Sequence, residues 1–140
     1  MKPEPLSTHF TIAEAIHSEM ATRKGIDNTP TPEVLDNMAD AAAGMEQVRS
    51  LLGVPIFVSS WYRSPKLNAA VGGSPTSAHT SGWAIDFTAP GFGTPKEVCM
   101  AILTSDVRMD QLIYEGTWVH ISFAPAMRDI ALSATFLGGR

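Results

Sequence analysis

Between Thr31 and Gly53 the apolar residues Val34, Leu35, Met38, Ala42, Met45, Val48 and Leu52 recur every three or four positions, the period of one helix face. Thr31 supplies an N-cap, Pro32 the first helical position and Gly53 the stop. A long helix with a single apolar stripe has to lie on a second layer. The rest of the chain offers that layer as runs of period two. PIFVSS (55–60) reads as a buried strand that delivers Trp61, Tyr62 and Arg63 at its exit. WAIDF (83–87) sets Trp83, Ile85 and Phe87 against Ala84 and Asp86, so Asp86 leaves from the face opposite three large apolar side chains. QLIYE (111–115), Gly116 and TWVHISF (117–123) read as a hairpin. Trp118, His120 and Ser122 share one face of its second strand; a two-residue connection brings Gln111, Ile113 and Glu115 to that face, and a three-residue one reverses this.

Shorter helices punctuate the strands. A capping box of Thr11 and Glu14 opens one that stops near Gly25, Ser64–Val71 forms another ended by Gly72 and Gly73, and Thr94 with Pro95 and Glu97 opens a third. The tail APAMRDIALSATFLGGR carries a weak signal for an edge strand. Helices and strands are interleaved, yet the hairpin and the unequal connections favour an α+β domain over a doubly wound one. The expectation is one domain over residues 1–140, a central, mainly antiparallel sheet flanked by helices.

Several function classes drop out. A chain of 140 residues fits one domain, and a net charge of −4 gives no basic surface for nucleic acid or anionic membranes. No apolar run approaches the roughly 18 residues that span a bilayer, and residues 1–10 lack the apolar core of a secretory signal. The expected location is therefore the cytoplasm until something releases the protein, with a monomer as the default state. Cys99 is the single cysteine, which excludes an internal disulfide; within a helical run it reads as a buried, inert thiol.

Reactive residue types are densest from Ser77 to Asp86, which contains His79, and a further histidine, His120, sits on a later strand. Two imidazoles and one carboxylate form a three-ligand set for catalytic zinc that keeps a fourth position open, and Gly82 lets the loop turn tightly into the strand bearing Asp86. Other divalent ions suit the same donors. By spacing alone a surface histidine and an ion-paired aspartate give the same pattern. An aspartate and a histidine in mid-strand need partners if covered, and one metal would satisfy both.

The runs Ser60-Trp61-Tyr62-Arg63-Ser64-Pro65, Leu67 to Ser74, Ser77-Ala78-His79, Gly82 to Asp86 and Trp118 to Ser122 together resemble the peptidase M15 family, in particular its D-Ala-D-Ala carboxypeptidase-like branch found in phage endolysins, over about residues 6–123. The resemblance implies a small α+β domain with an antiparallel sheet, shared with the hedgehog signalling domain, and one zinc ion. Position by position it implies His79, Asp86 and His120 as zinc ligands, Arg63 as the cation that steadies the substrate carbonyl or oxyanion, and Ser77 as a residue lining the substrate site. Many relatives carry an acid three positions before the last ligand, where this chain has Thr117. Glu115 is then the expected general base, ahead of Asp110. The implied function is hydrolysis of a peptide bond in bacterial peptidoglycan, as an endolysin released from the host cytoplasm at lysis. The alternatives are a non-catalytic zinc-containing module that binds the wall and a host-encoded carboxypeptidase of wall turnover.

Overall fold

The computed structural model describes residues 4–133. The elements are α1 (Ile12–Ile16), α2 (Glu19–Lys24), α3 (Pro32–Leu52), β1 (Phe57–Ser60), α4 (Pro65–Ala70), a 3₁₀ turn (Ala78–Ser81), β2 (Ala84–Thr88), α5 (Pro95–Leu103), β3 (Gln111–Tyr114), β4 (Val119–Ser122) and β5 (Ile130–Ser133). The strands form one sheet in the order β1-β2-β4-β3-β5, antiparallel except for the β3–β5 pair. This is the predicted α+β class with a mostly antiparallel sheet, and β5 is the edge strand expected from the tail up to Ser133; the rest of that tail lies outside the described residues.

Hydrophobic periodicity decides which face of the sheet is covered. α3 buries Met38, Ala41, Ala42, Met45, Val48 and Leu52 against Ile85 and Phe87 of β2, Val119 and Ile121 of β4, Leu112 of β3, and Val98 and Ile102 of α5. Each fully buried Met, Val, Leu, Ile or Phe contributes about 1.5–3 kcal/mol, so the stripe holds helix and sheet together. Thr31 caps α3, and Gly53 ends it at φ 68°, a left-handed position that glycine adopts without a Cβ penalty. Burial pushes the Cys99 thiol up to about 11, which keeps it protonated and inert.

The opposite face is set by the hairpin. Glu115 N–H donates to the Trp118 carbonyl at 3.1 Å, and Gly116 takes φ 95°, so Gly116 and Thr117 form a two-residue loop. Gln111 pairs with Ser122 and Ile113 with His120, while Asp86 pairs with His120 across β2 and β4. Asp86 and His120 thus stand side by side away from α3.

Two expectations are corrected. The helix predicted from Thr11 to Gly25 is two helices: His17 is extended, and Ser18 caps α2 through the Ala21 N–H. The carbonyls of Ala15 and Ile16 turn away to accept from Tyr62 N–H at 2.9 Å and Asn28 Nδ2 at 2.8 Å, a long-range competition invisible to local periodicity. β1, expected to be buried, is an edge strand with Phe57 58% exposed; its register against β2 slips between Val58 and Ser60. Within the predicted loop before β2 the chain also winds the 3₁₀ turn capped by Ser77.

Candidate metal centre

His79 leaves the 3₁₀ turn, Asp86 the middle of β2 and His120 the middle of β4. One potential ligand atom from each lies within 4.8 Å of the others. His79 is 2% exposed; its Nδ1 meets the Trp61 carbonyl at 2.6 Å, which assigns the ring proton to Nδ1. Its Nε2 then presents a lone pair to Asp86 Oδ2 at 3.3 Å. Two acceptors facing each other in a buried site repel unless a cation, proton or metal, is shared between them. The other carboxylate oxygen, Oδ1, lies 2.8 Å from His120 Nδ1. Burial alone would raise the Asp86 carboxyl, but the hydrogen bond from His120 and the adjacent His79 ring outweigh it and hold the group well below the usual carboxylate range. Asp86 is therefore anionic, as a ligand must be.

The turn carrying His79 is fixed by local chemistry. Ser77 Oγ accepts from His79 N–H at 3.2 Å, and Gly82 ends the turn at φ 81°. A Cβ at Gly82 would lie 2.7 Å from Met38 Cγ on α3, so only glycine lets the turn close against that helix.

Arg63 reaches the same place from the exit of β1. Its backbone N–H donates to the His79 carbonyl at 3.2 Å, and its buried Nε has no hydrogen-bond partner. Burial pulls the guanidinium below its usual range, opposed by the Asp86 carboxylate; an arginine remains charged through such a shift. A guanidinium that lines a cavity beside a candidate metal site can receive a carbonyl oxygen or an oxyanion. Arg63, Ser77 and His120 line one cavity of about 520 Å³.

The carboxylates resolve differently. By register Glu115, one position past β3, lies on the face of His120, two residues on from Ile113, about 7 Å by strand rise. It is half-buried. Asp110, the alternative base, receives two parallel bonds from Arg128 Nε and Nη2, both at 2.8 Å, and its backbone N–H donates to the Ser122 carbonyl. A carboxylate committed in this way is a poor proton acceptor. Trp61 is 1% exposed, donates from Nε1 to the Gly82 carbonyl at 2.9 Å and meets Phe10 edge-on; it belongs to the core, as does the partly buried Trp83.

A family model described as Peptidase M15 matches residues 8–122. The chain belongs to the peptidase M15 family. No curated protein matches it. The matched segment includes Arg63, Ser77, His79, Asp86, Glu115 and His120 and stops before Arg128. Membership in M15 supports a metallopeptidase, and the His79–Asp86–His120 group is its candidate metal site.

Sequence reasoning missed one residue that positions this candidate site. Asn28 Nδ2 donates to the Ile16 and Tyr62 carbonyls at 2.8 and 3.1 Å, and its Oδ1 accepts from Ser64 N–H at 2.7 Å. These bonds brace the segment that presents Arg63. An asparagine in a turn-rich stretch gives no local sign of partners more than thirty positions away. Asn28→Ala strands buried donors and acceptors, which cost about 1–3 kcal/mol each; the expected loss of stability is about 2–4 kcal/mol, read from urea unfolding midpoints at unchanged slope.

Proposed function

We propose that the chain is a zinc-dependent peptidase that hydrolyses a peptide bond in the stem or cross-bridge of bacterial peptidoglycan. The observation that carries this reading is the pair of facing acceptors, His79 Nε2 and Asp86 Oδ2, with His120 Nδ1 beside them: a donor set that fits a divalent cation and leaves a coordination position open. In this reading His79, Asp86 and His120 hold one zinc ion. A bound zinc lowers the pKa of water and polarises a carbonyl, the two requirements of amide hydrolysis. Arg63 binds the carbonyl oxygen through the part of its guanidinium that lines the cavity and meets the negative charge that develops there. Glu115 accepts the proton of the attacking water and returns it to the leaving amine. Ser77 lines the peptide path while holding the His79 turn.

The lytic setting rests on the resemblance of the motifs to the endolysin branch: a monomeric enzyme kept in the host cytoplasm until it reaches the wall. Among the described residues no helix is long and apolar enough to cross a membrane. Thr117, in place of the usual acid, is the observation that favours the second reading, a zinc-containing module that binds wall without cutting it.

The test is to incubate the protein, zinc-loaded or chelated, with cross-linked peptidoglycan and to identify the fragments by mass spectrometry. New peptide ends that require metal support the peptidase and name the bond, whether terminal D-Ala, D-Ala to diaminopimelate, or L-Ala to D-Glu. An intact wall despite stoichiometric zinc sinks it in favour of the binding module.

A further inference from the structure

The 520 Å³ cavity that Arg63 and Ser77 line is also lined by Asp110, Ser122 and Arg128. The chain carries a net charge of −4, yet this cavity is lined by two arginines and by one aspartate that is already paired. Asp110 is 4% exposed; besides the two side-chain bonds it accepts the Arg128 backbone N–H at 3.2 Å. A planar guanidinium held by two parallel bonds is fixed in orientation.

The backbone is fixed as well. Met127 and Asp129, on either side of Arg128, take φ 44° and 54°, a left-handed region that costs a non-glycine residue free energy. Arg108 restrains both, donating from Nη2 to the Met127 carbonyl at 3.0 Å and from Nε to Asp129 Oδ2 at 2.9 Å, while Asp129 N–H donates to the Met109 carbonyl at 2.8 Å. The Arg128 side chain nevertheless stays 53% exposed. Asp110 uses two of the five guanidinium N–H groups, leaving three for a ligand.

We propose that Arg128 is a specificity-determining residue of the site: it binds a carboxylate of the substrate peptide beside the bond that is cut, and so selects acidic peptides. This rests on the peptidase reading above and narrows its substrate class. Stem peptides offer such groups on D-Glu, on diaminopimelate and at a terminal D-Ala.

The experiment compares a stem pentapeptide with its fully amidated counterpart, measuring kcat/KM with the zinc-loaded protein and Kd with zinc-loaded Glu115→Gln. Each is repeated after Arg128→Gln, which keeps a donor for Asp110 but loses the cation, and after Arg128→Lys, which keeps the charge but not the fork. The expected preference for the acid is about 10–100-fold, from the strength of charge-assisted hydrogen bonds. Arg128→Gln removes it through the acid peptide, changing the amide by less than about 3-fold, and Arg128→Lys restores part of it. An absence of preference in the parent protein, or an equal loss on both peptides, overturns the proposal and leaves the Asp110–Arg128 pair a loop brace. If neither peptide is cut, the peptidase reading fails; the Kd pair then decides Arg128 by itself, a preference lost in Arg128→Gln upholding it and equal Kd values overturning it.

Discussion

Asp86→Asn should abolish stoichiometric zinc binding and reduce kcat/KM on peptidoglycan peptides by about 10³-fold or more, since a catalytic metal contributes several kcal/mol to the transition state. The substitution is chosen for what it preserves. Without metal, an amide at this position can donate Nδ2 to His79 Nε2 and accept at Oδ1 from His120 Nδ1–H, replacing the contacts that the carboxylate makes at 3.3 and 2.8 Å. The metal-free stability should therefore change by no more than about 1 kcal/mol. Zinc at a hundred times its Kd stabilises a protein by about 2.7 kcal/mol, which for a domain of this size raises Tm on the order of 10 °C. The parent protein should give that rise and Asp86→Asn should give none. A variant that keeps both zinc and activity would remove Asp86 from the ligand set.

Glu115→Gln separates the metal from the proton transfer. The variant should bind zinc as the parent does and lose about 10²–10⁴-fold in kcat, the usual contribution of a general base, with KM little changed because the amide keeps the size of the carboxylate. The assignment rests on register: the two-residue turn at Gly116 and Thr117 puts Glu115 on the His120 face, whereas Asp110 is tied to Arg128. Retention of full activity would place the base elsewhere, and a matching loss of zinc would make Glu115 part of the metal support.

What could be read from the sequence was whatever local chemistry decides. Thr11 with Glu14 and Thr94 with Glu97 form reciprocal caps within four residues, and α3 runs from its Pro32 to the glycine after Leu52 because cap, stripe and stop agree. Period two on WAIDF and TWVHISF separated Ile85, Phe87, Val119 and Ile121, which are buried under α3, from Asp86 and His120. Pattern alone left the hairpin register open until the length of its turn was known. It missed the break at His17 because the partner competing for the Ala15 carbonyl is Tyr62. It read β1 as buried because an apolar run says nothing about which strands have neighbours on both sides. Asn28 and Arg128 escaped for the same reason: each is a common polar residue in a loop, and its role comes from contacts between distant parts of the chain.

The slip in β1 between Val58 and Ser60 also bears on how copies of this protein behave together at high concentration. A strand paired on one side presents backbone donors and acceptors outward, and an aromatic such as Phe57 makes that border adhesive. A bulge twists the strand and breaks the even spacing that a second chain would need to zip along it. The irregularity that carries the chain from Ser60, opposite Asp86, into Trp61 and Arg63 is thus also a guard against edge-to-edge aggregation. Straightening it by deletion would remove both benefits at once.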